Sequence, residues 1–130
     1  MSGGITAARV ADFLGRGLLD VLVDLFKTDS ALYGLLGELM ASPEIGVRLG
    51  AAALVEELAA ADPARRPLAA AALLPLLGDA DPVRRGDAAY LLGFAGGPGE
   101  LGALNAASSA DPNADVREAA AEAVERIRGR

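Results

Sequence analysis

The stretch of residues 73–84 reads Leu-Leu-Pro-Leu-Leu-Gly-Asp-Ala-Asp-Pro-Val-Arg and gives the clearest indication of the fold. Its leucines are typical of a helix that ends before a Gly-Asp turn. Proline fits the first turn of a helix, and an aspartate just before it can accept hydrogen bonds from the free amides. The stretch therefore predicts one helix, a tight corner and a second helix that begins at Asp81-Pro82.

The same kind of helix start recurs along the chain. Ser42-Pro43, Asp62-Pro63 and Asp111-Pro112 each precede an aliphatic run, and Gly97-Pro98 opens another run without a side-chain cap. Successive starts leave room for helices of about three to four turns but not for long loops. The chain is predicted to alternate between helices and short corners.

A short motif repeats after three of these starts. Val47-Arg48, Val83-Arg84 and Val116-Arg117 are each followed by small residues, which allow neighbouring helices to approach closely. Sequence self-similarity with a period of roughly 20 to 50 residues is typical of solenoid proteins. Each motif is predicted to open the second helix of a pair.

These residues resemble HEAT-like repeats of the short bacterial type known from phycobilisome lyases. The resemblance covers about residues 30–128 and is strongest at residues 73–93, where a leucine-rich helix, an acidic turn, Val-Arg and an alanine-rich helix follow one another. It implies that the second helices line a concave surface where partners dock. It also implies that the turn aspartates and the arginines brace the helix ends, which makes these residues structural: Asp81, Arg48, Arg84 and Arg117.

The predicted fold is all-α: a short α-solenoid of about three HEAT-like helix pairs with an extra N-terminal helix, in one domain of residues 1–130. We expect the N-terminal helix within 1–28, repeat 1 at 29–61, repeat 2 at 62–96, and repeat 3 with a C-terminal cap at 97–130. One pair cannot bury its apolar face alone and must stack on neighbours. Apolar residues around much of the first helix, Phe26 among them, predict a possible homo-oligomer contact there.

The composition limits the reactions that the chain could catalyse. The 130 residues include 29 Ala and 21 Leu but no Cys, His or Trp, and the net charge is −6. Without His or Cys the chain lacks the usual neutral-pH proton shuttle and any thiolate nucleophile. We therefore expect no catalytic residues, no cofactor and no metal.

Charge and hydropathy indicate the partners. With no basic cluster to contact phosphates, the chain is not expected to bind nucleic acid. Its longest uncharged runs are shorter than the roughly 20 residues that span a bilayer. We expect a cytoplasmic chain without membrane contact, and its acidity favours a basic protein partner.

The repeat alignment selects candidate contact residues. It places Leu49, Arg85 and Glu118 at equivalent positions, and Asp87 and Tyr90 on the same second helix as Arg85. Tyrosine and arginine are enriched in binding hot spots, although Tyr90 is also compatible with a partly buried core position. The predicted function is a non-enzymatic adaptor, scaffold or assembly factor. Alternatives are a bilin-lyase-like or other HEAT-fold enzyme subunit, and a fragment of a larger array.

Overall fold

A computed structural model describes residues 4–130, and within this range the chain is all-helical, as predicted. None of these helices is long and apolar enough to cross a membrane. The α-helices are α1 Ala7–Gly15, α2 Leu19–Thr28, α3 Leu35–Met40, α4 Ile45–Ala61, α5 Arg66–Leu73, α6 Pro82–Ala95, α7 Leu101–Ala110 and α8 Ala114–Arg128. Short 3₁₀-helices occupy Ser30–Gly34, Pro63–Arg65, Leu74–Gly78 and Pro98–Glu100.

The helices are arranged around a row formed by α4, α6 and α8. Helix α4 packs on α6, and α6 packs on α8 in the most extensive helix contact of the described chain. Helices α1, α2 and α3 contact α4, whereas α5 contacts α6 and α7 contacts α8. The core between them is almost entirely aliphatic, as the alanine-rich and leucine-rich composition requires.

The N-terminal region departs from the single predicted helix. The chain breaks between α1 and α2 at Gly17, whose φ of +73° lies in the left-handed region that glycine enters without steric cost. Phe26, proposed above for an oligomer contact, is instead fully buried, and its ring meets Tyr33 edge-on at 5.4 Å between centroids. The expectation for Phe26 is therefore wrong, because the residue belongs to the core.

The corners that lead into α4, α6 and α8 share one pattern of hydrogen bonds. The side chains of Ser42, Asp79 and Asp111 each accept the amide two residues ahead, at 3.2, 2.8 and 2.9 Å. Their carbonyl oxygens each accept a hydrogen bond from the Nη1 atom of an arginine six residues ahead, at 2.8, 2.9 and 2.7 Å. The arginines are Arg48, Arg85 and Arg117.

This pattern corrects the repeat alignment. The sequence comparison matched Arg84 with Arg48 and Arg117, because all three follow a valine. The hydrogen bonds instead match Arg85 with them. Arg48, Arg85 and Arg117 each donate to the carbonyl of the residue that begins the corner. The corner that leads into α6 is thus displaced by one residue from the alignment that the Val-Arg motif indicated.

Only one of the predicted aspartate caps is confirmed as such. Asp81 accepts the amide of Val83 at 2.9 Å and begins α6. Helix α8 is instead capped by Asn113, whose side chain accepts hydrogen bonds from two amides. Asp111 accepts the Asn113 amide and pairs with Arg85. Asp62 is buried and accepts the Tyr33 hydroxyl at 2.7 Å, which lowers the pKa of its carboxyl.

Candidate functional site

A few large apolar side chains remain exposed in the described part of the chain, and most of them face one another across α4 and α6. Ile45 and Leu49 on α4 are 65% and 66% exposed, and Val83 and Tyr90 on α6 are 54% and 43% exposed. Each pair lies within one or two turns of its helix, so each helix presents a short apolar stripe. Such clustered exposure is informative, whereas single exposed apolar residues are ordinary.

The two stripes form the walls of a cavity of about 160 Å³, which we call the α4–α6 groove. Met40, which is buried at the end of α3, contributes to its lining. Arg48 and Asp87 bring opposite charges to the same space. The full lining consists of Met40, Ile45, Arg48, Leu49, Ala52, Val83, Asp87, Tyr90 and Leu91.

Asp87 is the carboxylate of the groove. It is half-buried and, within residues 4–130, forms no hydrogen bond through its side chain and no ion pair. Burial raises the pKa of its carboxyl, the attraction of Arg48 opposes that shift, and repulsion from Asp81 adds to it. Burial of a charge without a compensating partner costs free energy, and a cation from outside the chain would offset this cost.

Arg48 is held at its own corner. Its Nη1 donates to the Ser42 carbonyl, and its Nε is buried without a hydrogen-bond partner among the described residues. The equivalent Arg85 goes further and forms a bidentate ion pair with Asp111, at 2.9 and 3.1 Å. Asp79, the corresponding partner for Arg48, lies 3.7 Å from Arg84 instead.

Tyr90 forms one end of the groove. Its hydroxyl donates to Oε1 of Glu56 on α4 at 3.0 Å, and its ring packs edge-on against Phe94 with centroids 5.1 Å apart. Burial, followed by the hydrogen bond to Glu56, raises the pKa of the Tyr90 hydroxyl. The ring is thus fixed by two contacts while almost half of the residue stays exposed, which suits an interface position.

The structure brings together only some of the candidate contact residues. Leu49, Asp87 and Tyr90 line the groove. Arg85 does not, because its side chain is 12% exposed and is held between Asp111 and two carbonyl groups at its own corner. Glu118 is exposed on α8 but lies outside the groove lining.

The two other exposed apolar residues of the groove, Ile45 and Val83, were not among the predicted contact residues. The available signal was their spacing of four residues from Leu49 and Asp87, which places each pair on one helix face. The one-residue error in the alignment directed attention to Arg85, whereas the corrected register makes Gly86 the equivalent of Leu49.

A second cavity continues beside the first. It has a volume of about 280 Å³, lies between α6 and α8, and shares Val83 and Asp87 with the α4–α6 groove. Asn113 and Asp115 line its far side. Asp87 therefore stands where two adjoining grooves meet.

Charged groups are few on this surface. Its exposed area is mainly apolar, with one carboxylate and one guanidinium, and in the described range no three His, Cys, Asp or Glu side chains are grouped to hold a metal ion. The chain matches no protein-family model, no curated protein and no solved structure.

Proposed function

We propose that the chain is a short α-solenoid of three HEAT-like helix pairs behind an N-terminal cover, and that it acts as a non-enzymatic protein-binding module. In this role the chain acts in the cytoplasm as an adaptor, scaffold or assembly factor. Support for the solenoid comes from the row of α4, α6 and α8 and from the three corners with the same hydrogen bonds.

The observation that carries the binding role is the α4–α6 groove. Four large apolar side chains are exposed together there, although the chain buries most of its other leucines and valines. Apolar surface gains about 25 cal/mol for each Å² removed from water. A partner side chain that fills the groove would bury apolar surface on both sides, and Tyr90 would contact it with an orientation already set by Phe94 and Glu56.

The size of the groove favours a partner side chain over a small-molecule ligand. Cavities for drug-sized ligands and cofactors usually measure about 300–1,000 Å³, whereas the α4–α6 groove measures about 160 Å³. One or two side chains of a protein segment fit this volume. A tetrapyrrole, as the lyase alternative requires, is larger than the volume of this groove.

Site-specific photocrosslinking in the cells that naturally produce the chain tests this proposal. A photoreactive phenylalanine analogue at Leu49 should capture a defined protein, and the charge introduced by Val83→Glu should abolish the capture. The matched control is the same analogue at Leu68 of α5, which is exposed but does not line the groove. Equal capture from both positions, or capture that survives Val83→Glu, would contradict the proposal.

A further inference from the structure

We infer that the α4–α6 groove binds a basic segment of a partner protein, in which an aliphatic or aromatic anchor is followed or preceded within about four residues by lysine or arginine. The anchor fills the groove, and the cation pairs with Asp87. This inference rests on the proposed function and specifies the chemistry of the partner.

The charge arrangement of the groove supports a cation. The Asp87 carboxylate lines the groove, is half-buried, and is paired with no group of the described chain. Arg48 lines the same groove and keeps its charge, but its Nη1 donates to the Ser42 carbonyl and its guanidinium forms no ion pair with Asp87 among the described residues. Asp81 adds a second negative charge that acts on Asp87. An incoming lysine or arginine would give Asp87 the partner it lacks, and such charge-assisted hydrogen bonds are among the stronger polar contacts.

The surroundings of Asp87 reinforce this preference. Asp115 lines the adjoining cavity and is exposed, and its side chain has no ion pair in the part of the chain described. Of the two arginines on α6, Arg85 is held by Asp111 and Arg84 lies 3.7 Å from Asp79. The whole chain also carries a net charge of −6, so its field attracts basic segments and repels acidic ones.

The position of Asp87 fixes the spacing in the partner. Asp87 lies between Val83 and Tyr90 along α6, one turn from each, and all three line the groove. A cation that reaches Asp87 must therefore come from close to the anchor. In a helical segment this corresponds to positions three or four residues apart, and in an extended segment to about two residues.

A random peptide library displayed on phage and selected against the purified chain tests the inference. Peptides retained by the chain and lost with Leu49→Glu should combine a large apolar residue with Lys or Arg within four positions. Selection against Asp87→Asn should keep the apolar residue and lose the basic preference, and Asp87→Lys should favour acidic peptides. Asp24→Asn on α2, where Asp24 is exposed and outside every groove described, is the matched control and should not change the selection.

For one selected peptide, we expect Asp87→Asn to weaken binding about tenfold or more, with an unchanged melting curve as evidence that the variant is folded. Groove-dependent peptides without basic residues, or with acidic ones, would overturn the inference and leave the proposed function standing. If no enrichment depends on Leu49, the proposed groove function fails and this inference fails with it.

Discussion

The step from α6 to α8 and the step from α4 to α6 begin at corners with the same hydrogen bonds, yet they pack differently. The α6–α8 step has a cavity beside Asp87 and Asp115 but is closed around Gly93, whereas the α4–α6 step leaves the apolar groove. Between α6 and α8, a β-carbon at Gly93 would lie 3.1 Å from the Ala123 α-carbon, so the helices are in close contact. Between α4 and α6, Leu49 and Val83 stay exposed on either side of a cavity.

Polar contacts follow the same division. The α6–α8 step is crossed by the Arg85–Asp111 ion pair and by Arg126, whose guanidinium lies 4.3 Å from the Phe94 ring centroid. The α4–α6 step is crossed by the hydrogen bond from Tyr90 to Glu56, while Asp87 remains without an ion-pair partner in residues 4–130. Small residues and a paired arginine thus close the α6–α8 step around Gly93, whereas bulky exposed apolar residues characterise the open α4–α6 step. Asp87 itself lies where the cavities of the two steps meet.

The largest effect on stability is expected from a larger side chain at Gly93, where α6 and α8 are in close contact. Gly93→Val should lower the free energy of unfolding by about 3 kcal/mol, since overpacking a well-packed contact costs this order of energy. Gly86→Ala on the same helix is the control, because its added β-carbon would meet Val116 only at 3.8 Å. That control should gain roughly 0.5–1 kcal/mol from better helix propensity. Urea unfolding measures both, and equal effects at the two glycines would contradict the close contact.

Removal of the ion pair that crosses the closed step should have the next largest effect. Arg85→Ala leaves the Asp111 carboxylate without its bidentate partner and also removes the bonds to the carbonyls of Asp79 and Ala80. Arg84→Ala removes only a 3.7 Å contact with Asp79. We expect the melting temperature to fall further for Arg85→Ala than for Arg84→Ala in differential scanning calorimetry. The reverse order would restore the register indicated by the Val-Arg motif.

The helix caps on either side of the closed step should contribute less. Asp81→Ala and Asn113→Ala each remove a side chain that accepts amide hydrogen bonds at the start of α6 or α8. Loss of such a cap costs about 1 kcal/mol, so each variant should shift the urea midpoint by a similar small amount. Pro112→Ala is the control, since Pro112 precedes the α8 cap. A shift for Pro112→Ala as large as that for Asn113→Ala would argue against Asn113 as the cap.

The smallest effect on stability is expected in the open groove. Leu49→Ala should change the free energy of unfolding by no more than about 0.5 kcal/mol, as is usual for surface positions. Leu54→Ala on the same helix, where Leu54 is fully buried, should cost about 3 kcal/mol. Comparable losses at both positions would mean that Leu49 belongs to the core and that the groove is closed in solution.

Local patterns predicted the all-helical class and the α6 cap at Asp81, because the Asp-Pro start is determined by neighbouring residues. The break at Gly17 could have been anticipated only in part: a glycine permits a left-handed turn but does not require one. The burial of Phe26 depends on its contact with Tyr33, which lies beyond the end of its own helix.

Only some of the groove residues could be predicted from the sequence, for a similar reason. Leu49, Asp87 and Tyr90 were found because they lie off the core-facing stripe of their helices. Arg85 looked equally accessible, but its exposure is decided by Asp111, 26 residues away, and no local pattern reports such a contact. A pairing with a residue far along the chain therefore distinguishes an arginine that stabilises a corner from one that is available to a partner.

If the open step between α4 and α6 is the binding surface, nuclear magnetic resonance will locate a bound peptide there. The ¹⁵N-labelled chain would be titrated with a selected peptide that carries an apolar anchor and a nearby lysine. We expect the amide signals of residues 45–52 and 83–91 to shift together and Leu49→Glu to abolish these shifts. Shifts concentrated in α2 or α7, with the residues of the groove unaffected, would contradict it.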